Sequence, residues 1–82
     1  MKNKFVVRVT HFISRNEAIK DYVINQSLAM SSNIREALVM NEPEANRVVE
    51  NLTVAAAGKS DIYIRRIPVA LDKEGKPLPP SR

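Results

Sequence analysis

The sequence predicts an α+β domain in the order β-β-(β)-α-β, a small antiparallel sheet with one amphipathic helix packed on one face. Three observations carry this reading. Phe5-Val6-Val7-Arg8-Val9-Thr10 and Ile62-Tyr63-Ile64-Arg65-Arg66-Ile67 are β-branched, apolar runs interrupted by arginine at opposite ends of the chain. Between them, Ala45, Val48, Val49, Leu52, Ala55 and Ala56 recur at i, i+3, i+4, i+7, i+10 and i+11, the stripe of a helix with one buried side. The 82 residues suffice for one domain and leave little for a second.

The first strand, Lys4 to Phe12, alternates. Phe5, Val7, Val9 and His11 share one face and Val6, Arg8, Thr10 and Phe12 the other, so the first set is the natural core face. Ser14-Arg15-Asn16-Glu17 has capping-box spacing and opens either a short helix through Lys20 or a polar connection. Asp21-Tyr22-Val23-Ile24-Asn25 reads as a second strand. Arg35 to Met40 has helix-favouring composition but is too short ahead of the next cap, and is assigned as a short strand or extended arm.

Asn41 is an N-cap with Pro43 in the first turn and Glu44 at the third helical position. Gly58 suits the left-handed turn that ends the helix. Glu44 and Glu50 each lie three residues from Arg47, the spacing of surface ion pairs. The last strand runs from Ile62 to about Val69. Arg65-Arg66-Ile67 breaks its alternation, which marks a bulge, and Pro68 places the strand at a sheet edge. Residues 1–72 are read as the compact domain. Residues 73–82 carry Gly75, Pro77, Pro79 and Pro80, and are read as a flexible tail without regular hydrogen bonding.

Composition excludes most chemistry. With no cysteine and one histidine, zinc lacks its usual ligands and thiol chemistry is absent, which fits a reducing cytoplasm. No run approaches the ~20 apolar residues that cross a bilayer. His11 points with Phe5 and Val7 and is read as a partly buried structural residue with no relay to support a nucleophile. Two glycines cannot build a phosphate-cradling loop. The Asn51-Leu52-Thr53 triplet falls inside the helix and is read as chance, and Pro77-Leu78-Pro79-Pro80 as solvated chain rather than a docking ligand. No enzyme activity, cofactor or metal is expected.

The net charge of +4 is uneven. Residues 1–20 carry +4, residues 21–60 carry −2 and residues 61–82 carry +2. If the two arginine-bearing strands are neighbours, Val6, Arg8, Thr10, Tyr63 and Arg65 share the face away from the helix, with Arg66 beside them. That face is expected to stay open. Tyr and Arg suit a protein interface, and the same pair suits base stacking and phosphate contact. An unpaired edge strand invites a second copy of the chain.

Tyr22-Val23, then Ser32-Asn33-Ile34-Arg35-Glu36-Ala37-Leu38-Val39-Met40, then Glu42-Pro43-Glu44-Ala45 leading to Leu52, resembles small accessory proteins of phages and prophages. The likeness covers about half the chain. It implies a compact β-β-(β)-α-β domain and non-catalytic work: regulation or inhibition of a host protein, defence systems included, by stoichiometric binding. It carries over no individual functional residue. The basic ends depart from acidic inhibitors that mimic DNA. The expected partner is therefore a protein, with a basic nucleic-acid-binding module as the alternative.

Overall fold

The computed structural model describes residues 4–79. Its elements are β1 (Lys4–Phe12), β2 (Ala18–Val23), β3 (Met30–Ser31), a 3-10 turn (Ile34–Glu36), α1 (Glu42–Ala55) and β4 (Ile62–Val69). The strands form one antiparallel sheet in the order β3-β2-β1-β4, with α1 packed across β1 and β4. The α+β architecture with one helix on one face is the one expected from the sequence.

The two arginine-bearing strands are direct neighbours. Arg8 lies opposite Arg65, Thr10 opposite Tyr63, and Val9 opposite Ile64. The register runs unbroken from Lys4↔Val69 to His11↔Ile62, so no bulge interrupts Arg65-Arg66. Alternation holds instead, because Arg66 turns toward the helix while Arg65 and Ile67 turn away from it.

Helix α1 starts as its cap predicts. The Asn41 side chain accepts from the Glu44 N–H at 3.0 Å, and Glu44 accepts from the Asn41 N–H at 3.3 Å, completing a capping box. Gly58 takes φ +86° in the turn after the helix. The expected Glu44–Arg47 and Glu50–Arg47 pairs are not formed among the described residues. Glu42 pairs instead with Arg66 at 2.8 Å. The helix-side core gathers Phe5, Val7, Val23, Met40, Ala45 and Leu52, with Val9, Val48, Val49 and Ile64 packed against it.

Two expectations are corrected, the bounds of the second strand and the place of the third, and two alternatives that the sequence leaves open are resolved. The polar stretch after β1 is a turn through Ser14–Glu17, closed by the Ile13 N–H donating to the Glu17 carbonyl at 2.9 Å. β2 therefore begins at Ala18 and ends at Val23, rather than spanning Asp21–Asn25. The third strand in the sheet is Met30–Ser31. The 35–40 segment is a 3-10 turn followed by an extended arm that pairs with β1 only through the Phe5↔Met40 bridge. That arm sits beside the start of β1, where β2 has already ended. Its residues alternate, Leu38 and Met40 joining the helix-side core and Ala37 and Val39 the opposite face.

The chain after β4 is hydrogen-bonded where a structureless tail was expected. The Asp72 N–H donates to the Lys76 carbonyl, Leu71 bridges Pro77, and the Leu78 N–H donates to the Ala70 carbonyl. One Asp72 carboxylate oxygen accepts from the Glu74 and Lys76 N–H groups, both at 2.9 Å. The other oxygen pairs with Arg35, which ties this turn to the 3-10 segment. Pro77 is fully buried and so is not a free docking ligand. Pro80, Ser81 and Arg82, the remainder of the expected tail, lie outside the described residues.

Candidate functional site

The sheet face away from α1 has two zones. At the end where β1 begins, it is a second core: Val6 (0% exposed), Tyr22 and Ala37 are buried, with Ile34, Val39, Ile67 and Val69 packed against them. The expectation of an open face fails here because the 34–39 segment supplies apolar side chains to this side as well. Toward the end of β1 the face is open. Phe12 is 49% exposed and Tyr63 is 55% exposed, and both project from this side.

The register sets out what this open zone presents. Across β2, β1 and β4, one row reads Lys20, Thr10, Tyr63 and the next Tyr22, Arg8, Arg65. Like charges opposite one another destabilise a strand pair, so the Arg8–Arg65 juxtaposition works against the fold. Among the described residues, none of Arg8, Lys20 and Arg65 makes an ion pair with an acid. Arg8 is half-buried, and its Nε is buried with no hydrogen-bond partner. The Arg65 guanidinium sits 5.7 Å from the centre of the Tyr63 ring, within cation–π range.

No family model, curated protein or solved structure matches the chain. The arrangement of its own side chains therefore carries the functional argument.

Of the residues singled out in the sequence, Arg8, Tyr63 and Arg65 come together on the open zone. Thr10 is on the same face but only 4% exposed, between the longer Lys20 and Tyr63, so it is packing rather than contact surface. Arg66 is on the opposite side of the sheet. It donates to Asn46 at 2.5 Å, pairs with Glu42, and lies 5.1 Å from the Phe5 ring centre, so it joins β4 to the start of α1. His11 also faces the helix side, but at the open end of the sheet. It is exposed and 2.9 Å from Asp61, where burial was expected.

Lys20 is the site residue that sequence reasoning missed. It becomes visible once Ser14–Glu17 is taken as a hairpin turn, because the alternation of β2 then puts Lys20 and Tyr22 on the same side. Two shallow grooves lie on the helix side. One lies between the end of α1 and the sheet, with Val9, Leu52, Ile62 and Ile64 among its lining residues, and Leu28, Leu38 and Val48 line part of the other. Among the described residues, no helix is long and apolar enough to cross a membrane.

Proposed function

We propose that this chain is a non-catalytic binding protein that engages an acidic protein surface through the open zone of its sheet. The carrying observation is the set of three cations, Arg8, Lys20 and Arg65, without acid partners among the described residues and flanked by exposed Phe12 and Tyr63. Charges left uncompensated on a rigid sheet favour an anionic partner and speed its encounter. The aromatic rings supply apolar anchor area at little entropic cost. In this reading the protein acts by stoichiometric occupancy, as a phage or mobile-element accessory protein that regulates or inhibits a host protein in the cytoplasm.

A second reading is a nucleic-acid-binding module. Phe12 favours it, because two exposed aromatics beside cations are what base stacking on a sheet requires.

One comparison separates the readings. A host protein recovered with the wild-type chain is purified and titrated by calorimetry, alongside single- and double-stranded oligonucleotides at low and moderate salt. Under the first reading, the protein binds at one-to-one stoichiometry, and Lys20→Glu and Phe12→Ser each weaken it at least tenfold while circular dichroism stays unchanged. A one-to-one complex indifferent to both substitutions sinks the assignment of the face. Oligonucleotide binding that is strong at low salt and falls steeply with added salt selects the second reading.

A further inference from the structure

Strand β4 is the long outer strand of the sheet, and its outward backbone groups follow from the hydrogen bonds on its inner side. The Phe5 N–H and carbonyl turn toward Met40, away from β4, whereas the Phe12 N–H reaches the Asp61 carbonyl. Backbone groups alternate sides along a strand, so the even residues of β1 bond to Asp61, Tyr63, Arg65 and Ile67. Ile62, Ile64, Arg66 and Pro68 point outward. Pro68 has no N–H to offer, and the Ala70 carbonyl is already taken by Leu78, which closes the lower part of the edge. Among the described residues, no hydrogen bond reaches the outward groups of Ile62 and Ile64. A free donor–acceptor row of this kind is a template for another strand.

We infer that the occupant is a second copy of this chain, with β4 pairing antiparallel to β4 of the second copy about Tyr63, so that two four-stranded sheets become one of eight. The register is chosen by self-complementarity. Centred on Tyr63, it sets Ile62 opposite Ile64 of the second copy, with four backbone hydrogen bonds across the two symmetric pairs. It brings Tyr63 against Tyr63, and Arg65 opposite Asp61 of the second copy, whose Oδ2 holds its own His11 at 2.9 Å and whose Oδ1 is left to meet the guanidinium, so opposite charges meet at both ends of the seam. Centring on Arg65 instead stacks two guanidiniums on each other. Centring on Ile64 sets apolar Ile62 opposite Arg66, which is already committed to Glu42 and Asn46.

The dimer takes Arg65 and Tyr63 into the seam and leaves Phe12, Lys20 and Arg8 of both copies on one continuous face. The seam and the proposed partner site therefore share Arg65 and Tyr63, and only Phe12, Lys20 and Arg8 report on the partner site alone. Lys20→Glu tests that site across the sheet from the seam.

The chain contains no cysteine, which makes cross-linking clean. Tyr63 is a non-hydrogen-bonded pair on the two-fold, where Cβ atoms approach within disulfide reach. Tyr63→Cys is expected to oxidise to a covalent dimer at least tenfold faster than Val54→Cys, an exposed control on the outer side of α1. Light scattering of the unmodified chain should give twice the monomer mass. Arg65→Asp and Asp61→Arg should each return it to monomer, and the double swap Asp61→Arg/Arg65→Asp should restore the dimer. The Ile62 and Ile64 amides should be protected from exchange in the dimer and exposed in Arg65→Asp. A chain that is monomeric throughout an accessible concentration range, with fast-exchanging Ile62 and Ile64 amides, overturns the inference. So does a dimer that survives both single reversals and cross-links no faster at Tyr63 than at Val54.

Discussion

Asn41 holds the start of the helix with both bonds of a capping box, and its neighbourhood explains why one side chain matters there. The first N–H groups of a helix have no internal partner, and Asn41 satisfies one of them while Glu44 closes the reciprocal bond. The same turn receives Arg66 through Glu42, so the cap also fixes where α1 meets β4. Asn41→Ala is expected to cost about 1 kcal/mol, read as a lower urea midpoint with an unchanged slope. At this scale the sequence was readable, because a cap is local: Asn41, Pro43 and Glu44 lie within four positions. Thr10 and Arg66 were not. Their fates depend on the lengths of neighbouring side chains and on a register that local spacing does not reveal.

Among the elements, β1, α1 and β4 emerged from periodicity, since each has a long alternating or helical apolar pattern. Elsewhere the local pattern stops short for physical reasons. Ser14–Glu17 fits a helix start and a polar connection alike, and its hydrogen bonds close a hairpin, because Ala18–Tyr22 gains a ladder against β1. Residues 71–78 carry turn-forming Gly and Pro, which suggest loose chain until Asp72 is seen to organise them. The N–H of Lys76 above all, then that of Glu74 and the Arg35 charge, hold the Asp72 carboxyl below its ordinary pKa, outweighing the opposing effect of desolvation. A depressed carboxyl contributes stability that is present above its unfolded pKa and lost as pH falls through the folded one. The Glu74 and Lys76 amide resonances should therefore move together on acidification, with a midpoint below that of an exposed aspartate. Asp72→Asn should abolish that titration. Amide shifts that follow an ordinary aspartate would show that the carboxylate does not organise this turn.

At the scale of the whole molecule, one sheet serves two cores. A domain of this size buries a modest share of its surface, roughly 60–65%, and uses the 34–40 arm to cover what the single helix does not reach. The sequence showed the helix-side core through the stripe of α1. The second core stayed hidden, because Ala37 and Val39 come from a segment too short to show a period. The two zones of that face should respond differently to the same change. Val6→Lys places a charge where nothing is exposed and should leave the chain unfolded, since burying an unpaired charge costs several kcal/mol against a total stability of about 5 kcal/mol. Phe12→Lys, on the open zone and away from the β4 edge, should fold with a midpoint close to the parent's. Thermal melts followed by circular dichroism distinguish them, and equal tolerance at both positions would contradict the division of the face.

The opposition of Lys4 and Val69 also has a mechanical meaning. The first and last strands are antiparallel neighbours, and the chain enters one and leaves the other at the same end of the sheet. Tension applied through residue 4 and residue 79 first loads the Asp72–Arg35 clasp and the Leu78–Ala70 bond. It then peels β1 from β4 one hydrogen bond at a time, where a shear geometry would load the whole ladder at once. A pulled molecule should therefore give way at low force, unzipping from Val69 toward Ile62.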